Sequence, residues 1–199
     1  MRNQNNLRNK KQNVLFARGK IIEVNSDVNN PSFILFIRNG GGRKHTYLTF
    51  EYDSNKFHLK KGMVVSMTAH IENTGTQNNC VIITDSVQNE QTELAAFFNK
   101  QSVFGFAYPK PFAKLFVFGK VIDKHLKPNS NWIEIIIQDN CKNKVKVQYS
   151  TKMRVNETRV ESGDNVYLSA LPISTTKTIQ AETIIFENYI LDDIVIERK

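Results

Sequence analysis

Apolar and polar positions alternate with a period of two along most of the chain, and β-branched and aromatic residues dominate the alternating stretches. That pattern predicts strands rather than helices, at about 14–25, 31–39, 43–51, 62–72 and 79–87, and again at about 115–125, 131–139, 143–150, 163–172 and 178–187. Gly40-Gly41-Gly42 and Asp139-Asn140 supply turns between the second and third strands of each set, where residues tolerant of positive φ are needed. Longer polar connections, 52–61 and 151–162, separate the third and fourth strands.

The two sets are copies. Phe16, Gly19, Lys20, Ile21 and Ile22 return as Phe116, Gly119, Lys120, Val121 and Ile122, each displaced by 100 positions. Phe33 to Ile37 is echoed by Ile133 to Ile137, and Gly62 with its following strand by Gly163. A period this long suits two small domains, each with its own core, rather than a solenoid. The expected division is a basic arm at 1–13, a first domain at 14–87, a linker at 88–114, a second domain at 115–190 and a short tail at 191–199.

Five strands per copy, a long first strand with a central glycine, a tight two-three turn and a longer three-four connection describe an oligonucleotide-binding (OB) barrel. Gly19 and Gly119 fit a first strand that bends to serve both halves of the barrel. The fold class is therefore all-β, two tandem five-stranded OB-fold barrels joined by a partly helical linker, with a small β-sandwich as the alternative. The helical part is expected at Thr92–Phe98, and the aromatic run 103–108 is expected to pack.

Alignment of the copies assigns faces. Phe33, Leu35 and Ile37 match Ile133, Ile135 and Ile137 as core, and Thr46, Leu48 and Phe50 match Val145, Val147 and Tyr149. Outward stand Ile34, Phe36 and Arg38, with Trp132, Glu134, Ile136 and Gln138 in the second copy. On strand three the outward residues are Arg43, His45 and Tyr47, then Lys142, Lys144, Lys146 and Gln148. Aromatics interleaved with cations are what an unpaired nucleic acid requires, because bases stack on rings while Lys and Arg track phosphates. The candidate binding residues are Arg18, Lys20, Phe36, Arg38, Arg43, His45, Tyr47, Lys120, Trp132, Lys144 and Lys146. Loops one-two and four-five, the latter placed at 72–79 and 172–177, are expected to close over the strand, with Lys127 and Lys177 as contacts.

Charge sharpens this only locally. The net charge is +8 and the pI about 9.5, yet residues 1–20 hold six cations and no acid, while the rest nearly balances. A polyanionic partner is favoured, with the arm disordered. His45, His58, His70 and His125 are scattered and no phosphate-binding glycine loop is completed, so neither catalysis, cofactor nor metal is expected. Cys80 and Cys141 occupy non-equivalent positions and suggest no disulfide framework. No signal peptide and no apolar run near about 18 residues is found, which predicts a soluble cytoplasmic protein without membrane contact.

The repeated Phe16/Phe116, Gly19-Lys20/Gly119-Lys120 and Gly62/Gly163, with Phe33 and Trp132, resemble tandem OB-fold single-stranded DNA-binding proteins. The resemblance implies a phage, plasmid or other mobile-element protein that coats single strands in replication or conjugative transfer. It also implies replication or transfer proteins as partners, and self-association into a homo-oligomer. Typical bacterial members end in an acidic tail tipped by an Asp-Asp-x-Pro-Phe-like sequence, whereas Leu191-Asp192-Asp193-Ile194 here runs into a basic end. RNA binding and a protein-interaction or assembly role are the alternative functions.

Overall fold

The computed structural model describes residues 13–38, 45–73, 80–90, 112–152, 159–179 and 182–197, with backbone alone for Arg38, 175–179 and 182–186. The first thirteen-residue arm, apart from Asn13, falls outside them, as do Gly40 to Arg43, the 92–98 and 103–108 segments and the last two residues. Among the described residues ten strands form one continuous sheet: β1 (Asn13–Asn25), β2 (Ser32–Arg38), β3 (His45–Glu51), β4 (Val64–Asn73), β5 (Cys80–Asn89), β6 (Phe112–Leu126), β7 (Trp132–Gln138), β8 (Lys144–Ser150), β9 (Asn165–Ile179) and β10 (Glu182–Glu197). The order is β2-β3-β5-β4-β1-β6-β7-β8-β10-β9, with β1 also paired to β2 and β6 to β9. Each half is thus an OB-fold-like ring of five strands, β1-β2-β3-β5-β4 and β6-β7-β8-β10-β9. A single parallel bridge closes each, Glu51 to Ile83 and Gln148 to Ile190.

The central glycines are required by close approach. A Cβ on Gly19 would lie 2.4 Å from the Phe36 carbonyl oxygen, and one on Gly119 2.4 Å from that of Gln138. There the first strand leaves its β4 or β9 partner for β2 or β7, through a bulge at Ile22 and at Ile122. Gly62 and Gly163, at φ 94° and 103°, turn the chain into the fourth strand, and their N–H groups donate to the Ile21 and Val121 carbonyls at 2.7 and 2.8 Å.

Ladder registers correct the sequence alignment of the copies. Gly19 pairs the units with a displacement of 100, but Leu35 stands opposite Ile21 as Ile137 stands opposite Val121, so β2 and β7 are displaced by 102. The equivalent of Phe33 is Ile135, not Ile133, and Ile133 is only partly buried. In strand three Leu48, Phe50 and Tyr52 correspond to Val145, Val147 and Tyr149. Both slips are of two residues, and side chains alternate with period two, so the inward sets of β2, β3, β7 and β8 are not inverted by the error. Phe33, Leu35, Ile37, Leu48 and Phe50 are buried, as are Ile135, Ile137, Val145, Val147 and Tyr149. Each such side chain contributes about 1.5–3 kcal/mol.

The units join by an antiparallel β1–β6 ladder in which Leu15 faces Leu115, its own copy. That pair marks a pseudo-twofold axis, and both leucines are fully buried. Asn13 lies across the junction: its amide donates to the Asp139 carboxylate at 2.7 Å and to the Ile71 carbonyl, while its Oδ1 accepts from Ile71 N–H. The last hairpin departs from expectation. Residues 172–177 belong to β9 and not to a loop, and 191–197 continue β10 rather than forming a tail. Leu191 and Ile194 are buried there, which holds the end of β10 on the core. The β6 strand likewise begins at Phe112, inside the expected linker.

Candidate nucleic-acid interface

The outer face of β2 and β3 presents Phe36 directly opposite Tyr47, with ring centroids 5.5 Å apart, and His45 at 5.1 Å from Phe36. Lys20 stands opposite Phe36 on the other side, from β1. Lys20, Ile22, Phe36, Tyr47, Lys61 and Gly62 line a mainly apolar concavity of ≈ 490 Å³. Sequence reasoning missed Lys61, although the repeated Gly62 beside it marked the turn that carries it. Arg38 pairs with His45 through its backbone, and Arg43 lies outside the described residues.

Arg18 does not join this face. Its guanidinium donates to Glu90 at 2.9 Å and to Ser66 Oγ at 2.8 Å, and rests 5.8 Å from the centre of the Phe112 ring. Side-chain alternation places Arg18 outward as expected, but toward β4 and β6, where the acid neutralises it.

In the second unit the row equivalent to Lys20, Phe36 and Tyr47 is Lys120, Gln138 and Lys144. Lys120 and Lys144 are exposed. Lys146, opposite Ile136, sits one row along, and Trp132 is not among these lysines. It begins β7, six residues from Gln138 and so roughly 20 Å away along the strand. Between them Glu134 is nearly buried rather than outward in solvent, with Lys127 Nζ 3.4 Å and Gln148 Nε2 3.2 Å from its Oε2. Lys127 is therefore an ion-pair partner of Glu134.

The four-five hairpins lie across the junction, each on strand three of the other unit. Tyr47 and Thr49 N–H, on the edge of β3 turned away from β2, donate to Ser174 Oγ and Glu187 Oε1, each at 2.7 Å. Reciprocally, Lys144 N–H donates to Asn73 Oδ1, and Cys80 Sγ donates to the Lys144 carbonyl at 3.4 Å. Asn73 and Cys80 are cross-strand partners, as are Ser174 and Glu187, so the contact is repeated at equivalent positions. Side chains thereby satisfy backbone groups that the single closing bridge leaves unpaired.

Between the hairpins and the β3 and β8 edges lies a cleft of ≈ 610 Å³, lined by Glu51, Glu134, Glu187, Lys127, Lys146 and Tyr189 among others. Burial pushes the Glu187 carboxyl up to about 7 against the opposing hydrogen bond from Thr49. Burial, then the charges of Glu187 and Cys80, hold the Tyr189 phenol well above its ordinary range. Three carboxyl groups make this cleft a poor phosphate channel, whereas the charged residues among the described ones that line the Phe36 concavity are Lys20 and Lys61.

A second exposed surface covers the outside of the junction. Phe16 and Phe116 meet edge to face across the pseudo-axis at 5.9 Å, and Phe118 stacks on Tyr167 at 4.2 Å. Phe16, Phe112, Phe116 and Tyr167 remain 42–51% exposed. Lys114, 5.6 Å from the Phe116 ring centre, pairs with Asp192 at 2.7 Å and holds its carboxyl below the usual range by hydrogen bonding and charge. Among the described residues no helix is long and apolar enough to cross a membrane, and no cluster of metal-ligating side chains occurs.

No family model and no curated protein sequence matches the chain. Among solved structures it is similar to the wild-type single-stranded DNA binding protein from Thermus aquaticus, with a TM-score of 0.62, 8% identity and coverage of 94% of this chain and 93% of that one. A deletion mutant of the same Thermus aquaticus protein gives a TM-score of 0.62 at 9% identity, with 94% of this chain and 95% of that one covered. At that identity the likeness establishes the fold: an all-β, OB-fold-like architecture spanning both units, shared along nearly the whole of each chain.

Proposed function

We propose that this chain binds single-stranded DNA without strong sequence preference, across the outer faces of β2–β3 and β7–β8, and performs no catalysis. One observation carries the reading: Phe36 and Tyr47, with His45 against the Phe36 ring, form an aromatic surface, and Phe36 and Tyr47 share one concavity with Lys20 and Lys61, joining stacking platforms to cations. The fold shared with the Thermus aquaticus protein, which is named for binding single-stranded DNA, supports the same reading. The reading extends to coating displaced strands in replication or transfer of a mobile element, as the resemblance of the repeats implies. Anisotropy of a fluorescent oligo-dT should rise on addition of the intact chain at low salt, and fall again as salt is raised. A flat titration at low salt rejects this function.

A second role, assembly, draws on the exposed junction aromatics. We propose that Phe16, Phe112, Phe116 and Tyr167 are covered by a second copy, since an apolar sheet face of this kind is costly to leave in water. The pseudo-twofold symmetry of the face suits an isologous contact.

A further inference from the structure

We infer that the two units divide the labour on one bound strand: the first holds nucleobases by stacking, and the second holds the sugar–phosphate backbone by charge alone. This rests on the single-stranded DNA reading above and goes beyond it in assigning a different chemistry to each copy. The ladder registers make the comparison residue by residue. Lys20, Phe36 and Tyr47 form one row across three strands of the first unit, and the same row of the second is Lys120, Gln138 and Lys144. Both aromatic rings are therefore lost, one to an amide and one to a cation.

The neighbouring positions change in both senses: Thr49, opposite Ile34, becomes Lys146 opposite Ile136, a cation gained at the rim of the carboxylate cleft, while Lys61 ahead of Gly62 becomes Ser162 ahead of Gly163, a cation lost. Trp132 does not restore a platform, because it lies at the far end of β7 beyond Glu134. The lysine at the crossing glycine is kept in both units, next to Gly19 and Gly119. What both copies retain is a cation where β1 or β6 meets the next strand; what only the first retains is a π surface beside it. Stacking requires a ring, whereas a lysine binds phosphate whether or not a base is attached.

The test compares a 15-mer oligo-dT with an abasic 15-mer of the same phosphodiester chain, both on the intact protein. Phe36→Gln with Tyr47→Lys copies residues that the same fold already accommodates in the second unit. This variant should lose the preference for oligo-dT over the abasic chain by roughly 5- to 150-fold per stacked base, with abasic binding held or strengthened. Lys120→Gln with Lys144→Gln should weaken both ligands alike, leave their ratio unchanged, and lower the slope of log K against log salt by about 1.4. The division of labour is overturned if the base preference survives the aromatic replacement, or if the lysine replacement removes it. Failure of the wild-type chain to bind either oligomer rejects the binding function itself and this inference with it.

Discussion

Glu187 shows how one side chain couples the units. Its carboxyl reaches from β10 to the Thr49 N–H on the first unit, in a cleft faced by Glu51 from β3, Cys80 from β5, Lys127 and Glu134 from the β6–β7 region, Lys146 from β8 and Tyr189 from its own strand. With its pKa raised to about 7, the folded state holds a proton there that the unfolded chain has already released above about 4.5. The native state binds more protons, so this group's contribution to stability falls as pH rises from about 4.5, and the loss is complete somewhat above 7. Glu187→Gln keeps an oxygen acceptor for Thr49 and removes the ionisation. The melting temperature of the wild type relative to this variant should therefore fall between about pH 5 and pH 8; parallel profiles for the two proteins exclude the coupling.

At the scale of the element, the first strand of each unit is the most constrained. Gly19 and Gly119 sit where two strands part, with a carbonyl oxygen already in the place of a Cβ. Gly19→Ala and Gly119→Ala should each destabilise by about 3 kcal/mol, since the obstructing atom is backbone and not the end of a flexible side chain. Urea unfolding of the two variants measures this, and a loss below about 1 kcal/mol in both shows that the strands can separate without penalty. The glycines were legible in the sequence because they recur. Their reason was only half legible, since a bend was expected and the structure adds a direct contact between backbones. The four-five hairpins were not legible as partners of strand three. Ser174, Glu187, Asn73 and Cys80 carry no pattern that names residues more than 60 positions away.

For the whole molecule, the β1–β6 ladder makes one sheet of two units and leaves an aromatic face over the seam. Phe16→Ser with Phe116→Ser should reduce self-association of the intact chain by at least about tenfold in sedimentation equilibrium, while the oligo-dT affinity per chain stays within about threefold, because neither phenylalanine lines the Phe36 concavity, which begins at Lys20 further along β1. A wild-type chain that sediments as a monomer at all concentrations removes the assembly role. The formal charge of +8 adds long-range attraction to any polyanion but does not choose between the surfaces. Local pairing does that, as Arg18 shows: its position on β1 is outward, yet Glu90 and Ser66 occupy its guanidinium.

The amino-acid sequence by itself determined that the chain is all-β, that it holds two copies of one five-stranded plan, and which side chains of β2, β3, β7 and β8 face inward. Period-two alternation is a local property, and it even absorbed a two-residue error in aligning the copies. Tertiary structure alone decided the register between copies, the separation of Trp132 from Lys144, the neutralisation of Arg18, the recruitment of Lys61 to the Phe36 concavity and the exchange of hairpins across the junction. Each of these depends on which distant backbone lies alongside, and strand pairing at long range is set by closure of the two rings and burial of their cores, not by any short stretch of residues.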